Sequence, residues 1–228
     1  MRKAGGHKAA RLGLQKIPDV VVCRCMITAD NIRNMLFPCR LLLTLLLSAL
    51  ALQVGTTPIF TETVVFAKSE NHGDLVRIPA IVRSTQGTLL AFCEARNAAA
   101  DGAGNTDNDI ALKRSTNNGD SWLPLSRIEQ EGGPTNVNLG NCAPVVDETT
   151  GYIHLLFCRN NSQIFHTVST NDGVTWSPRE DITSSVKLGS WGFYGTGPGH
   201  GIQLKRGAQA GRLVVACYHN GANVIYSD

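Results

Sequence analysis

Charge is scarce in this 228-residue chain: only 17% of residues are Asp, Glu, Lys or Arg, against 43% hydrophobic. That balance excludes a disordered chain and leaves enough apolar side chains for a real core, with one domain plus a leader as the natural size. The formal charge is +3, but residues 1–40 hold eight Lys or Arg against Asp19 and Asp30, a local balance of +6. The remainder is therefore slightly acidic, at about −3, which excludes a polyanion-binding fold and removes nucleic acid as a partner.

A metal-ligand spacing is missing as well: the six His are scattered and no Cys/His pattern resembles a zinc site. The seven cysteines do not make a framework. Cys23, Cys25 and Cys39 lie in or before the leader, while Cys93, Cys142, Cys158 and Cys217 sit beside apolar residues in strand-like runs. They are expected as buried free thiols, with a disulfide between two of the four as the alternative in a secretory compartment. Beyond residue 60 no stretch of 12 residues carries a sustained helical apolar stripe.

The one long apolar run, LLLTLLLSALALQV at 41–54, falls short of the roughly 20 residues that a helix needs to span a bilayer. It has the length of a signal-peptide core and follows Arg40, and a start at Met35 gives a leader of secretory proportions. Residues 1–34 then read as an upstream extension. The competing reading, a buried core helix, is disfavoured because the run is Leu-rich on every face. Residues 1–56 are assigned to the leader and 57–228 to the folded domain. In a secretory setting Asn160-Asn161-Ser162 becomes a glycosylation sequon.

What the domain does contain is a succession of short runs rich in β-branched and aromatic residues, separated by Gly, Asn and Asp: TETVVFA, AIVRS, TLLAFCEA, IALKRS, YIHLLFCR, IFHTVST, GRLVVACYH and ANVIYS. These predict an all-β domain. One segment repeats. Ser115 to Trp122 (STNNGDSW) returns as Ser169 to Trp176 (STNDGVTW), and Tyr226-Ser227-Asp228 opens a third copy. Each copy follows a strand and places Asn and Gly where a tight turn needs positive φ. The spacing suits one four-stranded propeller blade per repeat.

These segments resemble the Asp-box of the sialidases, which form a six-bladed β-propeller, although Asn117 and Asn171 stand where the box usually has Asp. The box is structural, so it implies fold and not chemistry. Further matches run in the family's order: LVRIPAIV with Arg77, then TLLAFCEARNAAADGAGN with Arg96 and Asp101, then GNCAP with Asn141, then WGFYGTGPGHGIQL and GRLVVACYH with Tyr218. The resemblance implies that Arg77 is the first of three arginines clamping the carboxylate of sialic acid, where a guanidinium gives bidentate recognition. It implies that Arg96 orients substrate and that Asp101 is the general acid/base, with Asp107 and Asp109 as neighbouring alternatives. Asn141 is expected at the pocket rim and Tyr218 against the sugar's glycerol tail. His200 is open to two readings, catalytic base or loop support, and the second is favoured.

In the family a Glu–Tyr pair that supplies the nucleophile and two more arginines follow the third box, so about three blades and the acid/base half are expected here, inactive alone. The implied reaction is exo-α-sialidase hydrolysis of terminal sialic acids on glycoproteins, oligosaccharides and gangliosides, with retention and with no cofactor or metal. Sialylated glycoconjugates are the expected partners, glycolipids bring membrane proximity, and the lysosome or the extracellular space is the expected location. A different class, a non-catalytic Asp-box propeller that binds sugars or partners, is the alternative. Arg77, Arg96 and Asp101 together discriminate, because a structural propeller has no use for all three.

Overall fold

The computed structural model describes residues 20–22, 62–71, 75–97, 107–131 and 137–227. The apolar run at 41–54 and Asp101 lie outside the described residues. What is described is β-structure throughout, apart from a 3-10 turn at Lys68–Asn71 and a single-turn helix, α1, at Thr183–Val186.

A two-stranded sheet pairs β1 (Val20–Val22) with β2 (Val64–Ala67). Three larger sheets follow in chain order. The first is an antiparallel meander of β3 (Leu75–Arg83), β4 (Leu89–Arg96), β5 (Asn108–Ser115) and β6 (Ser126–Glu129). The second repeats the pattern with β7 (Leu139–Val146), β8 (Ile153–Arg159), β9 (Gln163–Ser169) and β10 (Glu180–Asp181). In the third, β11 (Gly195–Thr196) and β12 (Ile202–Gln203) form two halves of one interrupted leading strand beside β13 (Leu213–Tyr218), which pairs in turn with β14 (Ala222–Tyr226).

The sheets stack face to face through apolar layers. Leu90, Phe92, Ile110 and Leu112 of the first sheet meet Leu139, Ile153, Leu155 and Phe157 of the second, and Val145, Leu156 and Ile164 meet Tyr194, Val215 and Cys217 of the third. Val65 and Phe66 of β2 cover the other face of the first sheet over Ala91, Cys93 and Ala95. Phe92 and Phe157 are fully buried, so truncating either to Ala would cost about 3–5 kcal/mol. The four described cysteines are buried and unpaired.

The repeated turns are superimposable in their bonding. In the first, Gly119 N–H donates to Ser115 Oγ at 2.8 Å and Ser121 N–H to Asn117 Oδ1 at 3.0 Å. In the second, Gly173 N–H donates to Ser169 Oγ at 2.8 Å and Thr175 N–H to Asn171 Oδ1 at 2.9 Å. Asn replaces the usual Asp without loss, because its Nδ2 donates to the hydroxyl of Ser121 or Thr175 that a carboxylate would accept from. The second turn is also braced on the first sheet: Asp172 Oδ2 accepts from Thr88 Oγ1 and Arg114 Nη2, and Trp176 meets Phe92 edge-on.

A second repeat, invisible in the sequence, lies in the leading strands. Each breaks register at one level: between Arg77, opposite Glu94, and Ala80; between Gly140, opposite Cys158, and Ala143; and between Thr196, opposite Cys217, and Ile202. The residue after the break has positive φ in all three: Ile78 at 52°, Asn141 at 55° and Gly197 at 76°. Such bulges re-aim side chains, and a β-branched residue held there is strained.

Candidate active site

The starts of the three leading strands and the ends of their partners β4, β8 and β13 lie at one end of the stack. Here lie four of the residues singled out from sequence: Arg77, Arg96, Asn141 and Tyr218. Arg77 pairs with Glu94, and Leu75 with Arg96. Opposed residues of an antiparallel pair share a face, so Arg77, Glu94 and Arg96 project toward the second sheet, on the side that also carries Phe92. Arg77 is exposed, whereas Arg96 is 7% and Glu94 2% exposed.

Glu94 organises this end. Its Oε2 accepts from Arg96 Nε and Nη2 at 2.8 and 2.5 Å, and its Oε1 accepts from the backbone N–H of Asn141 at 2.7 Å. Gly140 leaves room for it, since a Cβ there would run into the Glu94 carboxylate and force it to shift. Asn141 is half-buried on its bulge and donates from Nδ2 to Asn161 Oδ1 at 2.7 Å, while its carbonyl accepts from Thr196 Oγ1 at 2.6 Å. Asn161 escaped the sequence reading as a site residue. The signal was present: Asn160 and Asn161, at φ of 52° and 49°, open the three-residue loop between β8 and β9, a backbone conformation that Asn tolerates.

Tyr218, 53% exposed, closes β13 opposite Gly195 with its ring edge-on to Phe193 at 5.9 Å. Phe193, 50% exposed and also missed, is fixed through its carbonyl by His219 Nδ1 at 2.7 Å, and the His219 ring stacks on Trp191 at 4.3 Å. The third sheet thus adds an aromatic rim to a polar, cationic centre. Only its place between Trp191-Gly192 and Tyr194 hinted at Phe193, too little to single it out.

Of the carboxylates, Asp101 belongs to the segment 98–106, outside the described residues; its flanks are tied together, Asp107 N–H to Asn97 Oδ1 at 3.0 Å. Asp109 is not brought to the arginines. It pairs with Ala95, on the opposite face, and its carboxylate is bonded to Arg127 of β6. Burial raises the Asp109 pKa above the usual range although Arg127 pulls it down. His200 is exposed and lines a cavity of about 450 Å³ with Arg83, Glu148, Gln203 and Lys205, toward the far end of the leading strands. Among the described residues no three His, Cys, Asp or Glu side chains gather as a metal site, and burial holds the thiols protonated, that of Cys158 pushed up to about 11.

The BNR repeat-like domain family matches residues 87–227. The chain belongs to that family. Its relatives are sialidases: it is 29% identical to Sialidase-3 of Bos taurus over 67% of this chain and 39% of the relative, and 32% identical to an exo-alpha-sialidase of Aspergillus fumigatus over 65% and 42%. Among solved structures, the Hadza microbial sialidase Hz136 superposes with a TM-score of 0.64 at 28% identity, over 75% of this chain and 39% of that one. The chain therefore spans about two-fifths of the length of these relatives. As a sialidase homologue built of BNR repeats it has the propeller-type, all-β fold expected of its turns.

Proposed function

We propose that these residues are the recognition and acid/base part of an exo-α-sialidase that removes terminal sialic acid from glycoproteins, oligosaccharides and gangliosides with retention. Arg77 takes the carboxylate, Arg96 orients the sugar, Asn141 and Tyr218 line the rim, and Asp101 protonates the departing sugar and then activates water. The observation that carries this reading is the convergence of Arg77 and Arg96 on one face, at one end of adjacent strands, with Glu94 between them. Arg96, anchored through two donors to the buried Glu94 carboxylate, presents a fixed guanidinium plane beside Arg77.

The nucleophilic Tyr and two further clamp arginines are expected within a six-bladed ring, so these 228 residues alone should turn over no fluorogenic sialoside. A secretory leader at 1–56 and a lysosomal or extracellular location belong to the same proposal. The experiment is a titration of the chain with free sialic acid and with the same sugar reduced at its carboxylate. Binding that requires the carboxylate and is lost in Arg77→Ala supports the reading; equal binding of both sugars refutes it.

A further inference from the structure

The first sheet departs from its own repeat at one position. Glu94, Cys158 and Cys217 hold the same place in the second strand of each sheet, opposite Arg77, Gly140 and Thr196. In the second sheet that place is a latch to the next: Cys158 Sγ accepts the N–H of Thr196 at 3.4 Å and donates to the carbonyl of Tyr194 at 3.3 Å. Glu94 does the same one sheet earlier and one residue further along, accepting the N–H of Asn141.

A neutral thiol is thus enough to tie one sheet to the next. A carboxylate at 2% exposure is an expensive replacement, since burying a charge costs several kcal/mol unless it is paired and fully bonded. Packing therefore does not account for the charge. The second carboxylate oxygen does: it is taken up by Arg96, whose Nε and Nη2 both reach it and whose guanidinium plane is fixed as a result.

We propose that Glu94 is a positioning residue, which sets the plane of Arg96 and, through the same carboxylate, holds it at a constant distance from the bulge that carries Asn141. A central arginine and a rim asparagine from different sheets are thereby registered by one side chain. The functional consequence rests on the recognition roles given above to Arg96 and Asn141; the positioning itself does not.

The test uses the 228-residue chain with Glu94→Gln, Glu94→Cys, Arg96→Gln and the double variant Glu94→Gln/Arg96→Gln. Two readouts are taken: hydrogen exchange at the Arg96 Nε–H, identified by its loss in Arg96→Gln, and affinity for sialic acid. The wild-type Nε–H is expected to be protected, and both Glu94 variants to lose that protection and bind sialic acid about tenfold more weakly. In the Arg96→Gln background, Glu94→Gln should change affinity by less than about twofold, because coupled residues are not additive. A protected Nε–H in Glu94→Gln, or an equal loss of affinity in both backgrounds, overturns the proposal. Should Glu94→Gln fail to fold, Glu94→Cys, which copies the latch of the second sheet, carries the same comparison. If the wild type binds no sialic acid, the substrate reading falls while the Nε–H still decides the role of Glu94.

Discussion

Arg77 and Glu94 stand opposite each other in β3 and β4, one exposed and the other buried, on the face that turns to the second sheet. The register places them together, and the bulge at Ile78 lies immediately beyond. Because Arg77 contributes little buried surface, Arg77→Ala should leave the melting temperature within a degree or two of the parent, surface changes being worth about 0.5 kcal/mol or less. It should weaken binding of carboxylate-bearing sugars at least tenfold, a loss of about 1.4 kcal/mol or more. Calorimetry and thermal unfolding on the same sample separate the two effects.

In a protein that also carries the nucleophile, Asp101→Ala should retain substrate affinity and lose turnover chiefly on sialosides with poor leaving groups, by about a hundredfold or more, if it holds the acid/base role proposed for it, since such leaving groups need a proton. Asp109→Asn should spare turnover, because its carboxylate faces Arg127 on the other side of the sheet. Steady-state kinetics with aryl and alkyl sialosides makes the comparison. A larger loss for Asp109→Asn than for Asp101→Ala would transfer the acid/base role.

The turn repeats differ in what they brace. Asn117→Ala removes bonds within an exposed turn and should cost about 1 kcal/mol. Asn171→Ala loosens the turn that holds Asp172 against Thr88 and Arg114 of the neighbouring sheet and should cost more, about 2 kcal/mol. Asn117→Asp should be nearly neutral, with the Ser121 hydroxyl reversing from acceptor to donor. Denaturant unfolding of the three variants is the check, and an equal cost for both alanines would count against the bracing.

The parts of the fold legible in sequence were those whose period matches their environment. IALKRS, YIHLLFCR and GRLVVACYH alternate or run apolar and are strands β5, β8 and β13. The strand β7 was read only as a motif, because Pro144, Gly140 and Asn141 interrupt it. It tolerates them as the leading strand of its sheet, hydrogen-bonded on one side to β8. The strands β10, β11 and β12 have two residues each, too short for any periodicity. At the site, Arg77, Arg96, Asn141 and Tyr218 were named from motifs, whereas Asn161 and the bond from Asn141 to Glu94 depend on contacts made across 20 and 47 residues, which no local pattern encodes.

Acid should loosen the second turn late, after ordinary carboxyls have taken up protons. Burial alone would raise the Asp172 pKa, but bonds from neighbouring hydroxyls and from Arg114 outweigh it and hold the carboxyl below its usual 3.8. A depressed carboxyl stabilises the fold above its unfolded pKa, and that contribution disappears as pH falls through the folded value. Asp172→Asn should therefore melt lower at pH 7 yet lose less on acidification from pH 5 to pH 3 than the parent, giving converging curves of melting temperature against pH. Parallel curves would show that Asp172 contributes nothing ionic.

Whether the Arg77 and Arg96 end of the stacked sheets takes sialic acid is decided by amide and side-chain NMR of the chain during titration with the sugar to millimolar concentration. Shifts are expected to cluster at Arg77, Arg96, Asn141, Asn161, Phe193 and Tyr218 and to vanish when the carboxylate is reduced. Shifts centred instead on Arg83, His200 and Lys205 at the far cavity, or undiminished by loss of the carboxylate, would contradict that assignment.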